Sequence, residues 1–269
     1  MCLLTFHWNQ HPTHALILAA NRDELYERPT APAHFWDDAP HVLAGRDESA
    51  GGTWMGVTRT GRWAALTNVR ALDIRDPKPD APSRGHLVAD FLTGTASPQE
   101  YMTAVSDRGD RYNGFNLLVG TLDACLYYSN HDGTVRTVST GTHGLSNHLL
   151  DTPWPKVKRS TRRLRQAVET ANGHAPDPEG LLDLLDDRTP APDHALPRTG
   201  VGLETERMLS PPFIESPDYG TRASTVLLLR RDGHVRFVEQ TFVNGTLGRT
   251  RDFAFDSAPH TTGASPCNE

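Results

Sequence analysis

The chain has 269 residues, 37% of them hydrophobic and 22% charged, with 27 Lys and Arg against 33 Asp and Glu for a formal charge of −6. That balance leaves no electrostatic footprint for nucleic acid, and the composition is that of a globular protein able to bury a full core. The longest apolar run, Ala15 to Ala20, is six residues, far short of the ~20 that cross a bilayer as a helix, so no membrane span is expected.

The opening residues Met1 to Trp8 carry no basic region and no small-residue cleavage site, so a secretory signal is not expected. Cys2, Cys125 and Cys267 are odd in number and far apart, which makes no disulfide framework and points to a reducing cytoplasm. Short apolar runs at Cys2 to His7 and Leu16 to Asn21 predict two strands joined by the turn Asn9-Gln10-His11-Pro12-Thr13. A Pro-rich connector follows, with Pro29, Pro32 and Pro40. Residues 51–58 and 62–68 predict two strands around Thr60-Gly61. His86 to Leu92 has helical spacing. Ser97-Pro98-Gln99-Glu100 is a capping box with Pro at the first helical position, so a helix is expected from Pro98 to about Asp107.

Strands resume at Phe115 to Gly120 and Ala124 to Ser129. Pro155 to Asn172 and Pro178 to Asp187 predict helices, with the basic stretch Lys156 to Arg165 read as the solvated face of the first. Arg188 to Gly200 reads as an exposed loop. Ala223 to Arg230 and His234 to Val243 predict strands meeting at Asp232-Gly233, a strong hairpin signal. Residues 256–269 lack periodicity and are expected to be a disordered tail behind one domain, residues 1–255. Strands in hairpin-like pairs, with helices grouped between them, favour antiparallel sheets covered by helices: an α+β fold.

Cys2 is the most informative position. A small residue after the initiator favours removal of Met1, which leaves a cysteine with a thiol and a free α-amine. The amine, with a pKa of about 7.7–8.0, is close enough to neutrality to act as general base for its own thiol.

A second set of residues places Cys2 in a family. The chain contains Asn21-Arg22-Asp23-Glu24, Arg28-Pro29-Thr30, Gly45-Arg46-Asp47, Gly51-Gly52-Thr53-Trp54, Leu66-Thr67-Asn68-Val69-Arg70 and Gly144-Leu145-Ser146-Asn147, in this order. It resembles the NRDE family, the transport and Golgi organisation protein 2 family, over most of its length and more loosely after about residue 150. The resemblance implies the N-terminal-nucleophile hydrolase-like fold, a four-layer αββα sandwich of two antiparallel sheets flanked by helices. It also implies kinship with cholylglycine hydrolase-like amidases, which begin Met-Cys and carry Arg-Asn-x-Asp on their second strand.

By that resemblance Cys2 is the nucleophile, Asp23 orients it and its amine, Asn68 and Asn147 occupy oxyanion-hole positions, and Arg222 holds the thiolate. Asn21, Arg22, Glu24 and Trp54 belong to the family motif or pocket. Ala20 stands where those amidases carry arginine. Because strand residues alternate faces, Arg22 is expected to point away from the side shared by Asn21 and Asp23 and not simply to replace it.

Other signals point to structural roles. His7, His11 and His14 lack a ligand set for a metal, and His143 and His148 read as turn residues. Gly51-Gly52 lacks the strand-to-helix context of a phosphate loop. Trp36, Trp54, Trp63 and Trp154 read as core or pocket wall. Two functional classes follow: an amidase or acyl-transfer enzyme working on a small molecule and needing no cofactor, or a carrier on the same scaffold for haem or another hydrophobic metabolite. The haem-attachment pattern Cys-x-x-Cys-His is absent. A relict pocket in an interaction protein is the third reading, and the sequence sets no oligomeric state.

Overall fold

The computed structural model describes residues 2–72 and 78–258. Chain order begins with strands β1 (Cys2–Trp8), β2 (His14–Leu25), β3 (Thr30–Phe35), β4 (Val42–Asp47), β5 (Met55–Thr58) and β6 (Trp63–Asn68). Helices α1 (Gly85–Thr93) and α2 (Pro98–Ser106) follow, then β7 (Phe115–Gly120), β8 (Cys125–Ser129), β9 (Val135–Thr137) and β10 (Gly141–Leu145). Helices α3 (Pro155–Thr170), α4 (Pro178–Leu185) and α5 (Leu203–Met208) precede the final strands β11 (Tyr219–Arg230), β12 (His234–Val243) and β13 (Thr246–Asp256).

The strands form two antiparallel sheets, ordered β10-β1-β2-β11-β12-β13 and β3-β4-β5-β6-β7-β8-β9. Period-two alternation in each strand builds the layers. In β2, Leu16, Leu18 and Ala20 face the opposite sheet, whereas Ile17 and Ala19 pack on Leu164 of α3 and Leu181 and Leu185 of α4. In β6, Trp63 and Ala65 face inward, and Ala64 and Leu66 meet α1 and α2 through Leu87, Phe91 and Met102. Three cores therefore alternate with two sheets, which is the expected four-layer αββα sandwich.

The capping box forms as expected: Ser97 Oγ accepts the Glu100 N–H at 3.3 Å, and the Ser97 N–H donates to Glu100 Oε2 at 2.9 Å. The Pro-rich connector is a correction, because it contains β3 and β4. Proline lacks a ladder donor, but β3 is a sheet edge and its register shifts between Ala31 and His34, so Pro32 costs little there. Strand β13 was hidden for a related reason: it is the other sheet's edge, mostly exposed and interrupted by Arg249, Arg251 and Asp252, the charged composition that protects an edge from further pairing. Short β9, β10 and α5 lack enough residues to show a period. Of the expected tail, residues 259–269 lie outside the described residues. No helix among the described residues is long and apolar enough to cross a membrane.

Two glycines matter for the site. A Cβ on Gly52 would meet the backbone carbon of Gly85 at 2.5 Å, and one on Gly45 would enter the Trp54 ring at 2.2 Å. The first lets the start of α1 close on the Gly51-Gly52-Thr53-Trp54 segment; the second lets the indole lie across β4. Leu18, fully buried between the sheets, tests the layer assignment. Leu18→Ala should lower unfolding free energy in urea by about 2–5 kcal/mol with little change in slope; a loss below about 1 kcal/mol would mean this face is not core.

Candidate functional site

Strand β1 begins at the mouth of a cleft of about 420 Å³, lined by Cys2, Arg22, Asp23, Glu24, Arg28, Trp54, Asn68 and Arg84 among others. Three constraints place Cys2 there. It pairs directly with Arg22 across the β1–β2 ladder, its carbonyl accepts from Ser146 Oγ at 3.0 Å, and it packs against the inter-sheet core. Residues directly opposite in an antiparallel pair present their side chains to the same face. Arg22 therefore stands beside Cys2.

The expected alternation holds at Arg22. Its side chain points away from Asn21 and Asp23, and Cys2 is on its own side. Ala20, two residues back, shares that face opposite Leu4. The cation absent at Ala20 is thus present one pleat further along β2. The Arg22 guanidinium lies 4.3 Å over the Trp54 ring and 3.7 Å from Glu24, is only 5% exposed, and its Nη1 has no hydrogen-bond partner among the described residues. Glu24 in turn lies 3.8 Å from Arg28, which grips Asp47 with bonds of 3.1 and 2.8 Å.

Asp23 is buried, and its Oδ1 accepts from Thr221 Oγ1 at 2.7 Å. Burial raises its carboxyl pKa, opposed by Lys156, the Thr221 hydrogen bond and Arg22. Burial likewise pushes the Cys2 thiol up and the Asp23 charge adds to that, while Arg22 and the Asp23 backbone N–H stabilise the thiolate. The resting sulfur is therefore held as a thiol, and chemistry at it needs a base.

The two asparagines divide their work. Asn68 ends β6 and lines the cleft. Asn147 is fully buried; its Nδ2 donates to the Asn68 carbonyl at 3.0 Å and its Oδ1 accepts from Ser146 Oγ at 3.2 Å. Asn147 thus lies beneath the cleft and fixes the strand end carrying Asn68. Asn21 is also a structural pin. Its Nδ2 donates to the carbonyls of Leu185 and Pro212, and its Oδ1 accepts from Ser224 Oγ.

Arg222 is not brought to Cys2. It occupies the bulge where β11 shifts register between Thr221 and Ala223, and it donates to the carbonyls of Leu25 and Arg28 at 2.7 and 3.2 Å. It lines a separate pocket of about 180 Å³ with Glu239, behind the partition made by Arg22 and Trp54. Burial pushes the Glu239 carboxyl up to about 7.

A family model described as Transport and Golgi organisation 2 matches residues 1–244. The chain belongs to this family. The Homo sapiens Transport and Golgi organization protein 2 homolog is 38% identical over 282 residues, covering 96% of this chain and 100% of that protein. The Drosophila melanogaster Transport and Golgi organization protein 2 is 29% identical over 270 residues, with 90% and 92% covered. Among solved structures, the mutant C2A conjugated bile acid hydrolase from Clostridium perfringens matches with a TM-score of 0.51 at 8% identity, covering 98% of this chain and 100% of that one. At that identity the likeness is one of fold, the N-terminal-nucleophile hydrolase sandwich.

The family tetrapeptide therefore carries four separate jobs in this chain: Asn21 ties β2 to α4, Arg22 faces the thiol, Asp23 is the buried carboxylate, and Glu24 clamps two arginines. Sequence reading missed Lys156, which stands behind the sheet and is only 2% exposed, although its stretch read as solvated. The signal was its i, i+4, i+8 spacing with Ser160 and Leu164, both buried. Arg70 and Glu206, paired at 3.1 Å, were missed as partners because they are 136 residues apart. Removal of the Arg22 cation, as in Arg22→Met, should raise the Cys2 thiol pKa and slow its alkylation by iodoacetamide at neutral pH about tenfold, read at the Cys2 peptide by mass spectrometry. An unchanged rate would mean that Arg22 does not act on the sulfur.

Proposed function

We propose that this chain is a cysteine amidase of the N-terminal-nucleophile type, hydrolysing or transferring the acyl group of a C–N amide bond in a small molecule. The observation that supports it best is Cys2 at the cleft mouth, with Arg22 on its face and the Asp23 backbone N–H on its sulfur. After loss of Met1, the α-amine takes the thiol proton and the sulfur attacks the amide carbonyl. The Asn68 amide holds the developing oxyanion, an interaction worth about 2.7–4 kcal/mol in comparable hydrolases. The α-ammonium then protonates the leaving amine, the C–N bond breaks and a thioester remains. Water, deprotonated by the same amine, releases the acid and restores the thiol. A reducing cytoplasm keeps Cys2 free for this role. Asn147 positions Asn68, and Arg222 has no part in the steps.

Incubation of the mature protein with a panel of N-acyl amides should give an acyl adduct on Cys2 by mass spectrometry, absent in Cys2→Ala. Neither adduct nor turnover, in protein with a demonstrably free Cys2 amine, overturns the reading.

A non-catalytic carrier of haem or a hydrophobic metabolite is the second reading; burial holds the Cys2 sulfur as a thiol, which counts against nucleophilic chemistry there. Haem titration should then give a Soret shift that saturates near one equivalent, and a featureless response removes this reading.

A further inference from the structure

Lys156 is the second residue of α3, and its buried face with Ser160 and Leu164 lies against β1 and β10. Its Nζ and the Ser160 Oγ have no hydrogen-bond partners among the described residues. Lysine is almost never fully buried without a charge partner, because an isolated ammonium in the interior is costly.

The charges facing Lys156 come from four elements: Asp23 on β2, Cys2 on β1, Glu206 on α5, and Arg70 in the segment after β6. Tyr219 at the start of β11 faces the same Asp23, Cys2 and Arg70. Glu206 is already engaged. One oxygen accepts from Arg70 at 3.1 Å, and the other accepts from the Thr199 N–H and hydroxyl at 2.8 and 2.7 Å. Of the carboxylates, Asp23 acts most strongly on Lys156. The start of α3 adds to the positive potential, since its first turn holds no acidic residue and no side chain caps it.

We propose that Lys156 is the positioning cation of the Cys2 site, holding Asp23 ionised from behind the sheet and balancing the charge of the Cys2 thiolate. The inference rests on the Cys2-centred reading above. It assigns to the helix layer part of the charge balance that Ala20 leaves unfilled on β2, with Arg22 and Arg84 acting from the cleft side. Burial pushes the ammonium down to about 8, and Asp23 is the largest influence holding it up, so the cation persists near neutral pH.

The sign is set by the potential. Replacing Lys156 with a neutral residue makes the surroundings of Cys2 more negative. A proton taken up by Asp23, whose own charge disfavours the thiolate, opposes that change; if Lys156 is the positioning cation, the direct loss of its charge prevails and the thiolate becomes harder to form. The test is the pH dependence of Cys2 alkylation by iodoacetamide, read peptide by peptide to exclude Cys125 and Cys267. It compares wild type with Lys156→Met, Lys156→Gln and Lys156→Arg, all carrying the same α-amine.

The midpoint should rise by about one unit in Lys156→Met and Lys156→Gln, a roughly tenfold fall in rate near pH 7.5, and should return most of the way in Lys156→Arg. Removing one partner of a buried charge pair destabilises the fold, so the thermal midpoint of each variant reports folding separately. An unmoved or lowered midpoint in either folded neutral variant overturns the inference, whatever happens to stability. Because alkylation needs no amide substrate, the two claims separate. A shifted midpoint without acyl-Cys2 leaves this inference standing and the amidase reading fallen, and acyl-Cys2 with an unmoved midpoint does the reverse.

Discussion

The site depends on the register between β1 and β2. Direct pairing of Cys2 with Arg22 puts a thiol and a guanidinium on one face of the sheet at the mouth of the cleft. A slip of one residue would exchange Arg22 for Asn21 or Asp23 and turn the inward-facing apolar set of β2 toward the helices. Leu16, Leu18 and Ala20 between the sheets, with Ile17 and Ala19 against α3 and α4, hold that register along the rest of the strand. Hydrophobic alternation in the core thereby sets the chemistry of its polar end.

From that pairing the charges sort themselves onto two sides of one sheet. On the cleft side, Arg22 is sandwiched by Trp54 and Glu24, and one nitrogen of its fork has no partner among the described residues. On the helix side, Lys156, Asp23, Arg70 and Glu206 form a buried set of two cations and two carboxylates. Such groups are individually costly to bury and tolerable only as a balanced set. The sulfur is held as a thiol by burial, with Arg22 favouring its charged form and the Asp23 charge opposing it.

The chain shares a fold with conjugated bile acid hydrolase and presents Ala20 where the sequence resemblance implied arginine. A guanidinium two residues further along a strand remains on the same face, displaced by about 7 Å. Arg222, the other cation expected at the sulfur, is spent on backbone carbonyls at a β-bulge. The bulge inserts an extra residue into β11 and re-aims its side chains, which residue spacing along the sequence does not report.

The amino-acid sequence by itself determined the sandwich class and most of its strands, because period-two alternation, the Ser97 capping box and the Asp232-Gly233 turn are local signals. It also marked Cys2, Asp23 and Asn68, residues that the fold brings to one cleft. Edge strands β3 and β13 escaped it, since an edge tolerates proline and charge that a central strand excludes. Only the tertiary structure decided that Arg22 faces the thiol, that Asn147 supports Asn68 from below, that Arg222 serves the backbone, and that Lys156 is buried. Each of those depends on which residue lies opposite which across a ladder or between layers, and such pairings join distant positions, 198 residues apart for Thr221 and Asp23 and 203 for Ser224 and Asn21.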